Sequence, residues 1–343
     1  MKAVRIHSHG GTEVLLWEDI DKPSCPDDKV RVKIKAAALN HLDIWVRNGF
    51  PGMPLPLPLI MGSDGSGIIT EVGKAVENWT VGDEIVVQPN VFCGSCDECN
   101  QGRENHCINY GIIGETTDGT MAEEIIFNQQ NIHAKPDHLS FAESASMQLV
   151  FLTSYQMISQ RAKLKSGENL LVYGATSGVG SAAIQIGKYF GATVHTTVGA
   201  KEKFPHAEKM GADYIYNHSN PDWFREARFN TGKDGMAVIF EHVGPATWPA
   251  SLRLLGRGGR LVTCGATTGP KVEIDLRHLF MKQQTILGST MSDIKNFEQV
   301  MDLINQKVFF PFIDQQFVMS DVIPAQERLE DRNQYGKIVL VND

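Results

Sequence analysis

The stretch Leu170-Leu-Val-Tyr-Gly174-Ala-Thr-Ser-Gly178-Val-Gly180 constrains this chain more than any other. Its apolar run reads as a buried strand, its glycines as a tight turn, and Ser181-Ala-Ala-Ile-Gln-Ile as the opening of a helix. Backbone N–H groups at such a helix start can hold a pyrophosphate, and the glycines let the chain approach it closely. Only the last glycine of a strict G-x-G-x-x-G keeps its register, because Ala175 and Ser177 replace the first two. The surroundings carry the assignment. Apolar segments at Thr193–Val198, Ala237–Phe240 and Arg260–Cys264 alternate with helical stretches at Ser181–Tyr189, Glu202–Met210 and Ala246–Leu255. Alternation of this kind predicts an α/β domain, a doubly wound parallel sheet covered on both faces.

The first 150 residues have a different texture. Short alternating segments such as Val30-Arg-Val-Lys-Ile-Lys and Gly67-Ile-Ile-Thr-Glu-Val, broken by Gly and Pro, predict antiparallel strands. Pro51 to Pro58, with four prolines, reads as an irregular surface segment. A helix is expected over Asp293–Asn305, and the closing Gly336-Lys-Ile-Val-Leu-Val should return to the first domain. The expected boundaries are 1–152 plus 292–343 for one domain and 153–291 for the other; 343 residues suffice for two cores. A net charge of −8 with no dense Lys/Arg run argues against nucleic acid as a partner. Met1-Lys-Ala-Val-Arg-Ile reads as a strand rather than a leader, and no apolar stretch nears the roughly 20 residues that span a bilayer. A cytoplasmic protein without a membrane partner is expected.

Of six cysteines, Cys93, Cys96, Cys99 and Cys107 crowd into fifteen residues, while Cys25 and Cys264 stand alone. Spacings of two, two and seven residues suit four thiolates around one tetrahedral Zn²⁺. The start also matches a ferredoxin motif, but those continue C-x₃-C-P, and here the fourth cysteine is farther away and precedes Ile108. Four sulfurs leave no open coordination position, so this zinc should staple a lobe near residues 90–110 rather than do chemistry.

That cysteine spacing, between an N-terminal β region and a later dinucleotide fold, resembles the structural-zinc lobe of zinc alcohol dehydrogenases. The resemblance extends over essentially the whole chain and implies the medium-chain dehydrogenase/reductase superfamily: a GroES-like, mostly antiparallel catalytic domain plus a Rossmann cofactor domain. It also shows what is missing. Where the family has its catalytic-zinc ligands, this chain has Asn40, Ser63 and Leu149, and Leu42 replaces the relay hydroxyl. None is a good zinc ligand. The segment Leu39-Asn40-His41-Leu42-Asp43, with Arg47 and Gly49 beyond, instead resembles the quinone oxidoreductase branch. Hydride transfer without a catalytic metal is the implied chemistry. A quinone or α,β-unsaturated carbonyl suits it, because incoming charge spreads into a delocalised enolate or phenolate without a Lewis acid. Asn40, Asp43 and Asp64 are the candidate catalytic residues. Asn40 either donates its amide to the substrate carbonyl or cofactor, or bonds backbone around a turn. Asp43 either orients Asn40 or Ser63, or caps the local helix. His41 is the one nearby imidazole.

The cofactor-binding candidates begin with Ser177, Gly178, Val179 and Gly180. After the second strand an NAD-selective site usually carries an acidic residue, but the register falls on Val198 or Gly199. Lys201 and Lys203, with His218 alongside, could attract a 2′-phosphate, so NADP(H) is the expected cofactor and NAD(H) the alternative. By resemblance, Thr153, Val243, Gly244, Gly265, Ala266, Gly288 and Ser289 lie in the loops that line the nicotinamide and its ribose. The family analogy implies a homodimer, or a dimer of dimers, through the strand at Ile286-Leu-Gly-Ser. Two rival readings stay open: an alcohol dehydrogenase with an unconventional metal site from His41, Asp43 and Asp64, and a non-catalytic NADPH-binding protein of the crystallin kind.

Overall fold

The structure is a computed structural model, described over residues 1–342. The chain divides into two compact units, Met1–Leu149 with Asp293–Asp343 and Val150–Ser292. The first opens with strands β1 (Lys2–Ile6), β2 (Leu16–Asp19), β3 (Lys29–Ala38), β4 (Leu59–Ile60), β5 (Asp64–Val72) and β6 (Glu84–Val87). The short pair β7 (Asn90–Val91) and β8 (Gly111–Ile112) brackets the cysteine lobe, and β9 (Glu124–Asn128) and β10 (Ile132–Ala134) follow. Strand β3 is the spine. Its alternating Val30, Val32 and Ile34 point into a core with Ile6, Ile69, Ile85, Met121 and Phe127, as the period of two requires. Past the irregularity between Ile34 and Ala36 the alternation changes phase, so Ala36 and Ala38 turn to the other face and pack with Val339 against Ala142 and Ala145 of the helix Phe141–Ala145.

In the second unit, β11 (Asn169–Val172), β12 (Thr193–Val198), β13 (Tyr214–Asn217), β14 (Met236–Glu241), β15 (Leu255–Thr263) and β16 (Thr285–Gly288) form one sheet. Its order is β13-β12-β11-β14-β15-β16 and every pairing is parallel. This is the doubly wound arrangement with helices between strands. The helix after β11 begins at Gly178, inside the glycine turn, and the one after β12 begins at Phe204 behind a single 3₁₀ turn, Lys201–Lys203. Strand β13 and the helix Trp223–Thr231 are additions that the sequence pattern did not reveal. In the first unit, the helix Ile294–Asn305 is capped by Asp293, whose carboxylate accepts from the Asn296 N–H.

The last strands, β17 (Ile313–Val318) and β18 (Lys337–Val341), join the first unit's larger sheet, where β18 lies antiparallel to β3. In that register Ala38 faces Val339, and on the other side of β3 it faces Asp64. The end of β3 is therefore flanked by the starts of β5 and β18, which brings distant polar residues together.

Candidate active site and metal lobe

The four predicted thiols converge. Sγ–Sγ separations are 3.5 Å for Cys96–Cys99 and Cys93–Cys107, 3.8 Å for Cys96–Cys107 and 3.9 Å for Cys93–Cys99. Four Zn–S bonds of about 2.3 Å in a tetrahedron set sulfurs roughly 3.8 Å apart, so the lobe fits that ion. Backbone N–H groups also point at the sulfurs, Cys96 at Cys93 and both Cys93 and Asn109 at Cys107, each at 3.4 Å. Such donors favour thiolate over thiol, which is the form a metal binds. Among the described residues this is the one group of three or more His, Cys, Asp or Glu side chains whose ligand atoms converge, all within 4.8 Å.

At the end of β3 stands a different cluster. Lys337 Nζ donates to Asn40 Oδ1 at 2.5 Å and to Asp64 Oδ2 at 3.0 Å. Asn40 Nδ2 donates to the same carboxylate oxygen at 3.0 Å and more weakly to the Ala38 carbonyl. Asp64 Oδ1 accepts from the Leu149 N–H at 2.9 Å. The side chains of Lys337, Asn40 and Asp64 are all buried. Asp43, equally buried, accepts from the Asn40 N–H at 2.7 Å and so closes the first turn of the helix His41–Asn48. Burial pushes the Asp43 carboxyl up to about 7, against the Asn40 N–H and the Lys337 ammonium, which favour its charged form; the neighbouring Asp64 carboxylate adds to the rise. The Ser63 hydroxyl is buried without a partner.

Of the two roles expected for Asn40, donor to a substrate carbonyl or cofactor and local bonding at a turn, the structure shows its amide bonded at both ends within the protein, to Asp64 and to Lys337. Lys337 was missed in the sequence because it sits 297 positions from Asn40. The only signal was a lysine opening an apolar terminal strand. Nor does the cluster suit a divalent cation: the Lys337 ammonium already bonds Asp64, and Ser63 and Leu149 add no anionic ligand. His41, the third member of the rival metal set, lies edge-on to Trp45 with ring centroids 5.2 Å apart.

In the second unit, Gly174 has φ +66, and a Cβ on Gly180 would lie 2.1 Å from the Gly174 carbonyl, so both positions require glycine. Ser177 caps the helix, accepting from the Gly180 N–H and donating to the Gly174 carbonyl, both at 2.9 Å. That leaves the Gly178 and Val179 N–H groups as open donors of the first turn, where an anion is favoured. At the end of β12 an added Cβ on Gly199 would stand 3.3 Å from His218 Nε2. Burial first, and then the Lys203 charge, hold the His218 imidazole below its usual pKa. Gly199, His218 and Lys203 thus share one corner. Lys201 is exposed on the same 3₁₀ turn.

The remaining loops are held by the residue that closes β14. Glu241, fully buried, accepts from the Val243 and Gly244 N–H groups at 2.7 and 3.1 Å and from the Thr247 and Ser251 hydroxyls at 2.8 and 3.1 Å. Val243 and Gly244 therefore offer shape rather than N–H donors to a ligand. Gly265 accepts from Thr263 Oγ1, Ala266 accepts from the Gly269 N–H, and the Gly288 carbonyl accepts from Arg161. Thr153 Oγ1 lies 3.5 Å from Met291 Sδ, and Ser289 keeps a buried hydroxyl without a partner.

Comparison with known proteins agrees with this architecture. Residues 26–137 match the alcohol dehydrogenase GroES-like domain and residues 178–306 the zinc-binding dehydrogenase family. A crotonyl-CoA carboxylase/reductase of Cereibacter sphaeroides is 32% identical over 97% of this chain and 84% of its own length. Human quinone oxidoreductase is 28% identical over 99% of this chain and 98% of its own. A solved NAD-dependent alcohol dehydrogenase is 39% identical, with a TM-score of 0.96 and 100% of both chains covered. The chain belongs to the medium-chain dehydrogenase/reductase superfamily, in its quinone oxidoreductase-like branch. It is an oxidoreductase of that superfamily.

Proposed function

We propose that this protein passes hydride from NADPH to a quinone or an α,β-unsaturated carbonyl compound without a catalytic metal, while one structural zinc sits among Cys93, Cys96, Cys99 and Cys107. The observation that carries the reading is the buried Lys337–Asp64–Asn40 cluster, whose carboxylate is committed to an internal ammonium. A bound nicotinamide supplies the hydride, two electrons with one proton. The acceptor's β-carbon forms the new C–H bond, its π electrons move to the carbonyl oxygen, and water returns a proton to the resulting enolate. The chain's part is to hold the reactants: the Gly178 and Val179 N–H groups take the pyrophosphate, and the corner of Gly199, Lys203 and His218 takes the 2′-phosphate. The name of the Cereibacter relative, with its crotonyl thioester, is in keeping with a conjugated acceptor.

Association into a homodimer is part of the same reading. Strand β16 is one edge of its sheet, β13 being the other, and Leu276, Phe280 and Met281, just before β16, are each about two-thirds exposed at 64, 65 and 64%. Among the described residues no helix is long and apolar enough to cross a membrane. A second reading, alcohol or aldehyde oxidoreduction with NAD(H), is favoured by the description of the 39% identical structure. Stopped-flow oxidation of NADPH and NADH against 1,4-quinones, enones, enoyl thioesters, aldehydes and ketones, with zinc counted per chain, separates the two. Turnover confined to aldehydes and ketones, or a second zinc per chain, would refute the proposal.

A further inference from the structure

Strands β11, β12 and β13 follow one another in both sequence and space, so the two right-handed crossovers between them put their helices on the same face of the sheet. These are Gly178–Tyr189, after β11, and Phe204–Met210, after β12. The first opens on the Gly178 and Val179 N–H groups; the second follows the Lys201–Lys203 turn. Pro205 stands in the first turn of the second helix, where its missing N–H costs nothing and its fixed φ suits the helix. His206 comes next, three residues beyond Lys203, and is buried.

His206 ties the two helices together. Its Nε2 lies 2.9 Å from Ser181 Oγ, and that hydroxyl lies 2.9 Å from the carbonyl oxygen of Ala175 in the glycine turn. A hydroxyl has one hydrogen and a carbonyl only accepts, so Ser181 donates to Ala175 and accepts from the His206 Nε2–H. All three residues are buried, which makes each of these bonds costly to leave unmade. The Ala175 N–H donates in turn to the Thr197 carbonyl at 3.0 Å, near the end of β12. Farther along the same helix pair, Gln185 Nε2 lies 3.6 Å from Met210 Sδ. A thioether is a weak acceptor, so the imidazole–hydroxyl bond is the stronger of these two ties. An apolar side chain could fill the same space, but it could not hold the turn by a directed bond.

We infer that His206 is a positioning residue for cofactor selectivity: through Ser181 it fixes the glycine turn relative to the Lys203 turn, so that one ligand can seat its pyrophosphate on the first and its 2′-phosphate on the second. This rests on the proposed reading of the two turns as parts of one NADP(H) site. A ligand carrying both anions binds better when their separation is set in advance, because less of its binding free energy goes into ordering the protein. A ligand without the 2′-phosphate does not sense where Lys203 stands. Loss of the tie therefore weakens NADPH and spares NADH.

The test measures dissociation constants of the zinc-replete full chain for NADPH, NADH and adenosine 2′,5′-bisphosphate. The proteins are wild type, His206→Leu, His206→Asn, His206→Gln, Ser181→Ala and the double variant Ser181→Ala/His206→Leu. One hydrogen bond of ordinary strength corresponds to roughly three- to tenfold in affinity. The expected result in His206→Leu is a loss of that size for NADPH and the bisphosphate, and less than about twofold for NADH. His206→Asn, polar but too short to reach Ser181, should show the same split, which keeps the test open if the leucine variant does not fold. His206→Gln, whose amide can donate to Ser181, should recover most of the loss. Adding His206→Leu to Ser181→Ala should cost nothing further, since the tie is already cut. Equal losses for NADPH and NADH, no loss for either, no recovery in His206→Gln, or an undiminished loss in the Ser181→Ala background would overturn the inference. A wild type that binds neither dinucleotide, or binds NADH as tightly as NADPH, would instead sink the NADP(H) reading on which it rests, before any variant is compared.

Discussion

Asp43 offers a direct measure of how the buried cluster is balanced. Its carboxyl titrates near 7 in the folded chain, against an ordinary value of 3.8, with burial as the largest cause. A carboxyl whose folded pKa lies above its unfolded one binds its proton more tightly in the native state. Stability is therefore highest below the unfolded value and falls as pH rises from about 4 through about 7. Three pH units at 1.36 kcal/mol each make that fall about 4 kcal/mol at most. Asp43→Asn keeps a side-chain oxygen for the Asn40 N–H and removes the titration. The variant should resemble wild type at pH 4.5 and exceed it at pH 8 by a few kcal/mol. Urea unfolding of both proteins with zinc present, at several pH values in this range, reads the difference directly, and ¹³C titration of the aspartate carboxyls locates the group. Parallel stability profiles for the two proteins, with no divergence between pH 4.5 and 8, would refute the reasoning.

Three further outcomes follow from the same structure. Lys337→Met removes the cation from a carboxylate that is fully buried, and breaking such a pair costs about 3–5 kcal/mol in denaturant unfolding, with Lys337→Arg recovering part of it. Replacing Cys107 with Ser, or stripping zinc with a chelator, should drop the metal content from one ion per chain towards zero and raise hydrogen exchange over residues 92–110 while β11 to β16 stay protected. Gly199→Asp puts a carboxylate beside His218, whose ring an added Cβ meets at 3.3 Å, with no strained backbone to oppose it. It should lower kcat/KM for NADPH about tenfold or more and leave NADH nearly unchanged, because the 2′-phosphate is then repelled; equal losses for both would count against NADP selectivity.

What the sequence determined by itself is chemistry that lies close along the chain. Cys93 to Cys107 need only a short lobe to bring four sulfurs together, and the glycine turn with its Ser177 cap is a contiguous strand–turn–helix unit. Spacing encodes both, since local backbone geometry suffices to build them. That Asn40, Ser63 and Leu149 stand where the family has metal ligands came from the resemblance, motif by motif, and not from local geometry. The tertiary structure alone decided what fills that place. Lys337 reaches Asn40 because β18 pairs with β3 in the register that sets Val339 against Ala38, and Asp64 arrives because β5 pairs on the other side. His242 faces Tyr173 because two parallel strands whose paired residues, such as Leu170 and Val238, are 68 positions apart are neighbours at the point where strand order reverses. Register between distant strands is set by the whole core and not by any local motif, so no local pattern could show that the Asn40 amide meets Asp64 at one end and Lys337 at the other.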